Sequence, residues 1–212
     1  MPKVSVVIAT YNRAHYIKEA IDSVLNQTFS DYEIIVVDDG STDNTRDVLQ
    51  EYGSKIRYFY QNHLNQPTAL NLGIRQSNGE YIAFIDDDDT WLEDKLELQL
   101  EILGRNPEVG VVGTKMYLIN EYGEIISQTD EFEKIKRQKG VNLSIQETFA
   151  NLFEENFLGF PSTVVRKKFI IEVGGFDETL QTTQDYDLFL RLAKICKIHY
   201  IDVPLVKWRI HG

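Results

Sequence analysis

Short β-branched runs separated by stretches of helical period set the pattern of the first half of the chain. "VSVVIA" (4–9), "EIIVVD" (33–38), "IRYFYQ" (56–61) and "YIAFID" (81–86) are brief and rich in Val, Ile, Tyr and Phe, so each predicts a strand. Between them, "AHYIKEAIDSVLNQ", "NTRDVLQEYG" and "PTALNLGIRQSNG" repeat apolar residues three and four apart, which predicts helices with one buried face. Gly53 and Gly79 fall where helix C-termini are expected, and Pro67 suits a first turn. Strands alternating with helices predict βαβ units, hence an α/β fold with a mainly parallel central sheet and helices on both faces. A helix over 91–106 and a strand over 109–119 follow.

The second half is less regular. "NEYGEI" predicts a hairpin turn, 131–140 a polar loop, 144–156 and 184–195 helices, and 199–210 two strand segments joined at a Pro kink. No internal repeat and no Gly-, Ser- or Pro-rich linker divides the chain, so 1–212 reads as one domain.

In open α/β sheets, ligands bind beyond the C-terminal ends of the strands. Those ends here carry Thr10-Tyr11-Asn12-Arg13, Asp38-Asp39-Gly40-Ser41 and Asp86-Asp87-Asp88-Asp89, so polar, aromatic and acidic groups converge on one edge. Thr90 and Glu93 have capping-box spacing for the 91–106 helix, which makes Asp89 structural. Asp86 closes the strand, leaving Asp87 and Asp88 as oxygen donors for a hard cation such as Mg²⁺ or Mn²⁺. A solvated acidic loop is the plain alternative.

Composition narrows the ligand. A formal net charge of -11 excludes a broad basic face for nucleic acid, so an anionic ligand needs a local positive charge, and a metal ion is one candidate. The single cysteine, Cys196, forms no internal disulfide and points to a reducing compartment. No apolar run reaches the ~18 residues of a membrane span, and "MPKVSVVIAT" lacks signal-peptide character. A cytoplasmic setting is therefore expected.

"VSVVIATYNR", "EIIVVDDGSTDNT", "ALNLGIRQSNGEYIAFIDDDD" and "QDYDLFLRLA" occur in order from Val4 to His211. As an ordered set they resemble the family-2 nucleotide-sugar glycosyltransferases, which implies a GT-A, Rossmann-like fold and an inverting mechanism. The resemblance implies a nucleotide-binding half (1–106) and a small, mixed acceptor-side half (107–212). Thr10 and Tyr11 would line the nucleobase pocket, with Tyr11 on the uracil face, and Asp39 would accept the base's ring N–H while Asp38 orders the turn. "DDGSTDNT" also reads as a turn with Asp43 or Asn44 capping the next helix. Asp86-x-Asp88 would be the DxD motif. Asp86 and Asp87 would then serve the donor, and Asp88 a divalent cation (Mn²⁺ or Mg²⁺) bridging the diphosphate.

Asp185 would be the catalytic base, although Thr182 and Asp185 also have capping-box spacing; Asp187 projects elsewhere on the helix. Asp177 in "GGFDE" is the second candidate base, with a turn role as its alternative. Two positions depart from the family: Gln184 replaces the usual Glu before the base, and Ala69-Leu70-Asn71 lacks the common Arg. Arg13, Arg209 or His211 could supply the missing cation; the Arg-x-His ending resembles a family position where the histidine lies near the metal or diphosphate, and an exposed basic strand end is the equal alternative. The end one residue later suggests a trimmed domain or a further C-terminal segment. Lys134, Lys136, Arg137 and Lys139 form a solvated basic loop or a contact with acceptor or anionic lipid.

The implied activity is metal-dependent transfer from a UDP-sugar to a hydroxyl of a glycan or lipid-linked acceptor, as in cell-surface polysaccharide synthesis, with peripheral contact at the inner membrane face as an option. Two rivals stand beside it. "IDDDDTW" fits a haloacid-dehalogenase phosphatase, with Asp86 as nucleophile and Asp88 as acid, but that motif belongs after a first strand. A non-catalytic nucleotide-sugar-binding module is hinted at by Gln184.

Overall fold

The computed structural model describes residues 1–129 and 145–211. Four parallel strands, β1 (Val4–Thr10), β2 (Tyr32–Asp38), β3 (Arg57–Tyr60) and β4 (Tyr81–Phe84), order as β3-β2-β1-β4. All seven β1 residues are buried, because both faces of the strand are covered. Val6 and Ile8 join one apolar cluster with Ile17, Ala20, Ile21 and Val24 of α1 (Ile17–Leu25). Val7 and Ala9 join the other with Ala69, Leu70 and Ile74 of α3 (Gln66–Gln76). The period of two in the strand and the three-and-four spacing in the helices thus meet as expected. A side chain at Gly73 would collide with Val7, so glycine sets the close approach of α3 to β1. α2 (Thr45–Gln50) lies between β2 and β3 in the chain.

One sheet continues through the second half. β8 (Val164–Arg166) lies antiparallel to β4 and to β6 (Val109–Ile119), β9 (Lys197–Arg209) runs parallel to β6, and β7 (Ile125–Gln128) forms a hairpin on β6. The β6–β9 register slips where Lys115 faces Pro204, at the expected kink. The short β8, only three residues long, is not evident in the sequence; its place between β4 and β6 makes it a strand. Among the described residues of this half, three α-helices follow: α5 (Ile145–Glu154), α6 (Lys167–Glu172) and α7 (Gln184–Leu192). The 131–140 loop and its basic cluster fall outside the described residues. No helix among the described residues is long and apolar enough to cross a membrane.

Two local expectations are corrected. The helix read over 91–106 begins only at Lys95 as α4 (Lys95–Arg105); Thr90 and Trp91 form β5, paired antiparallel with Lys207 and Val206 of β9. Trp91 dictates this, since its buried ring donates its indole N–H to the Pro161 carbonyl at 2.9 Å, so the capping box does not form. Gly79 is not a helix terminator either. α3 stops at Ser77, and Gly79 presses on the β1 backbone, where a Cβ would lie 2.5 Å from Ser5 N.

Lys95 is fully buried at the head of α4. Its Nζ donates to Gln99 Oε1 at 2.8 Å and sits 3.9 Å from the Trp91 ring centroid; Gln99 Nε2 donates to the Val112 and Ser162 carbonyls at 2.7 and 2.8 Å. This ladder pins α4 to β6 and to the turn at 160–162. Burial holds the Lys95 ammonium well below the usual lysine range. Unfolding in the pH window between that depressed value and the ordinary one lets the lysine take up a proton, so stability rises with pH through that window and is lost as pH falls. Denaturant unfolding of wild type and Lys95→Met checks this: the wild-type-minus-variant free energy is expected to rise from about pH 7 to about pH 9. A flat difference contradicts it.

Candidate active site

The loops after β1 and β2 lock together. Asn12, at φ 55°, accepts the Thr42 and Asp43 N–H groups on Oδ1 at 2.8 and 3.2 Å, while its own N–H donates to Ser41 Oγ at 2.9 Å. Asp43 accepts from Thr45 N at 2.9 Å and Ala14 N at 3.2 Å, so it takes the capping role; Asn44 makes no side-chain cap. Asp38 accepts from Ser41 N at 2.8 Å and the Tyr58 hydroxyl at 2.9 Å, holding the turn. Gly40 at φ 85° lets that turn pass beneath His63, where a Cβ would lie 2.7 Å from His63 N.

Asp39 is buried at the floor of a cavity of about 300 Å³ that Tyr11, Arg13, His63, Gln66 and Asp87 also line. Its Oδ1 accepts from Gln61 Nε2 at 2.6 Å and Leu64 N at 3.0 Å, and His63 Nδ1 lies 3.0 Å from Oδ2. The His63 Nδ1 hydrogen bond goes to the Asp39 main-chain carbonyl at 3.0 Å, so Gln61 and Leu64 are the donors to the carboxylate and its Oδ2 keeps lone-pair capacity for another. Tyr11, 41% exposed, stacks on His63 with centroids 4.0 Å apart and planes at 21°. His63 and Gln66 were missed in the sequence, although "NHLNQP" follows the third strand and that end lies on the same edge.

The acidic turn sits against the end of β9. The Arg209 N–H donates to Asp89 Oδ1 at 2.8 Å and its Nε to the Asp88 carbonyl at 2.9 Å. The rest of that guanidinium bonds the Asn120 and Glu121 carbonyls at 3.3 and 2.9 Å and Glu19 Oε2 at 2.6 Å, over the Tyr16 ring. Arg209 is therefore a committed structural cation rather than a phosphate ligand, and Asp89 is structural through Arg209 rather than through a helix cap. Leu70, in the Arg position, is core. Two side chains approach the turn at the rim: His211, with Nε2 2.7 Å from Asp88 Oδ2, and the Arg13 guanidinium, 3.8 and 3.9 Å from Asp87 and Asp88 oxygens.

Burial dominates the titration of the turn. It raises Asp86 well above the carboxylate range, reinforced by Asp88, Asp87 and Asp185, and raises Asp89 with help from Asp86. Asp87 is pushed up to about 7 by burial, against the pull of Thr10 and Arg13.

Asp185 stands in the first turn of α7, whose Leu188, Phe189 and Leu192 are buried. Thr183, at φ 59°, holds the cap position without a side-chain bond, so the capping box from Thr182 is not made. Asp185 and Asp86 line a second cavity of about 250 Å³, and burial raises Asp185 as well. Gln184 Nε2 donates to Gln66 Oε1 at 2.8 Å, and Gln66 Nε2 to Asp86 Oδ1 at 3.1 Å, tying the head of α7 to the acidic turn. Asp187 is taken by Arg191 at 2.6 Å, and Asp177 is exposed, accepting from Thr179 N and Oγ1 in a turn.

The model of glycosyl transferase family 2 matches residues 5–169, and the chain belongs to that family. It is 37% identical to an uncharacterized glycosyltransferase of Rickettsia felis, over 100% of this chain and 35% of that protein's length. S. aureus TarS 1-349, solved with UDP-GlcNAc, superposes with a TM-score of 0.76 at 22% identity, covering 99% of this chain and 58% of TarS. A mannosyltransferase from Pyrobaculum calidifontis, solved with GDP-Man and Mn²⁺, gives 0.67 at 20% identity, over 100% of this chain and 56% of its own. The fold is thus the GT-A type. The chain spans about a third of the length of the R. felis relative.

Arg209→Lys tests the clasp, because an ammonium cannot reproduce the guanidinium fork. It is expected to cost roughly 2–4 kcal/mol of unfolding free energy in denaturant titration. A loss within about 0.5 kcal/mol contradicts the assignment.

Proposed function

We propose that this chain transfers a sugar from a nucleotide diphosphate, UDP by preference, to an acceptor hydroxyl with inversion. One observation carries this: a single acidic turn lies between two cavities, with Asp87 lining the first and Asp86 lining the second beside Asp185. In this reading the base lies on Tyr11 and gives its ring N–H to the spare lone pair of Asp39. Arg13 faces the diphosphate. His63 occupies the stacking face of Tyr11 and shifts when the base enters.

The residues present fit a divalent cation. Asp88 and His211 offer an oxygen and a nitrogen donor 2.7 Å apart, beside carboxylates that burial and crowding hold partly protonated. No group of three ligands stands ready among the described residues, which suits Mn²⁺ or Mg²⁺, ions that complete their shell with water and phosphate. Bound there, the ion would offset the charge that develops on the leaving diphosphate. Asp185 does the proton work: the acceptor oxygen bonds to the anomeric carbon, the carbon–phosphate-oxygen bond breaks with its electrons on the diphosphate, and the hydroxyl proton passes to the Asp185 carboxylate. The raised pKa of Asp185 strengthens it as a base. Membership of the transferase family leaves the phosphatase reading without support.

Calorimetric titration of UDP with and without Mn²⁺ tests the donor site. Mn²⁺-dependent binding is expected in wild type and its loss in Asp88→Ala. Failure of UDP to bind under either condition overturns the UDP assignment. For the base, Asp185→Asn should lower UDP release from a UDP-sugar by roughly 10²–10⁴-fold with UDP affinity unchanged. Undiminished release removes Asp185 from the mechanism, and a wild type that binds UDP without turnover makes the chain a binding module.

A further inference from the structure

The two cavities differ sharply in what lines them. Arg13 lines the first, where an anionic ligand finds positive charge. In the second, Asp86 and Asp185 are the ionisable groups among the described lining residues, and neither Lys, Arg nor His joins them. A phosphate or carboxylate entering there would find no cationic side chain among the described lining residues to pair with, and would face the carboxyl groups of Asp86 and Asp185 instead.

The walls are apolar and firm. Met116, Phe157 and Leu158 are each 5% exposed or less, and a side chain at Gly159 would collide with Met116, so glycine lets that wall close. One aromatic face is left open. Trp208, in β9, is 41% exposed and lines this cavity. Its neighbour Arg209 projects to the opposite face and is buried in the clasp, which fixes the strand that carries Trp208. The indole is therefore a half-open aromatic surface, on an anchored strand, lining the same cavity as the candidate base.

We infer that the acceptor presents a neutral pyranose ring to this cavity, seated with its C–H face on Trp208 and one hydroxyl toward Asp185. The proposal rests on the transferase reading above and narrows it: the acceptor's terminal unit is an uncharged sugar, not a phosphorylated or carboxylated one. A pyranose has an apolar face that gains by covering exposed aromatic surface, and a hydroxyl edge that suits a carboxylate acceptor.

The test is a glycan microarray of neutral, phosphorylated and uronic-acid-terminated glycans, probed with the chain in the presence of UDP and Mn²⁺. Neutral-terminated glycans should be bound, and Trp208→Ala should weaken that binding by about tenfold or more while Trp208→Phe keeps most of it. UDP affinity, measured separately, should not change in either variant. Preference for acidic termini, binding indifferent to Trp208→Ala, or UDP binding with no glycan bound would each overturn the inference and leave the donor site standing. Failure of wild type to bind UDP would instead strike the transferase reading, whatever the array shows.

Discussion

Four carboxylates in a row at the end of a buried strand repel one another, and the chain holds them together by laying the end of its last strand against them. Arg209 makes this arrangement. Its backbone N–H and guanidinium together engage Asp89, the Asp88 carbonyl, the carbonyls at 120 and 121, and Glu19. A nearly buried guanidinium is stable only when its donors are matched, and here they are. With Asp89 anchored by the Arg209 N–H, Asp87 and Asp88 lie toward Arg13 and His211, each within 4 Å.

The sheet turns this local balance into a site. Strands β1, β2 and β3 deliver Tyr11, Asp39 and His63 to one flank of the acidic turn, and α7 delivers Asp185 to the other. The Gln184–Gln66–Asp86 hydrogen bonds join the flanks through neutral amides, where a carboxylate at 184 would have added to the repulsion. Among the described lining residues, Arg13 stands on the side of Tyr11 and Asp39, and no Lys, Arg or His lines the cavity of Asp185. The proposed division between an anionic donor and an uncharged acceptor rests on that asymmetry.

Much of the fold was legible because the first half obeys simple periods: β1, β2, α1 and α3 lie within a few residues of their expected places. The GT-A fold and the family followed from motifs in order. What escaped depended on distant partners. Asp89 reads as structural, but its partner Arg209 lies 120 positions away, so the local capping signal from Thr90 and Glu93 was followed instead. Trp91 looks like a helix start until Pro161 and β9 claim it. The three residues of β8 show no periodicity, and sheet position alone defines them. His63 and Gln66 were within reach, since a parallel third strand must end on the same edge as the first two.

The most direct test is a crystal structure of this chain grown with UDP and Mn²⁺, with the ion located by its anomalous scattering. The account expects the Mn²⁺ peak at Asp88 and His211, the uracil on Tyr11 with its ring N–H toward Asp39, and the Arg209 clasp unchanged. An ion bound away from the acidic turn, or a nucleotide outside the Tyr11–Asp39 cavity, would contradict it.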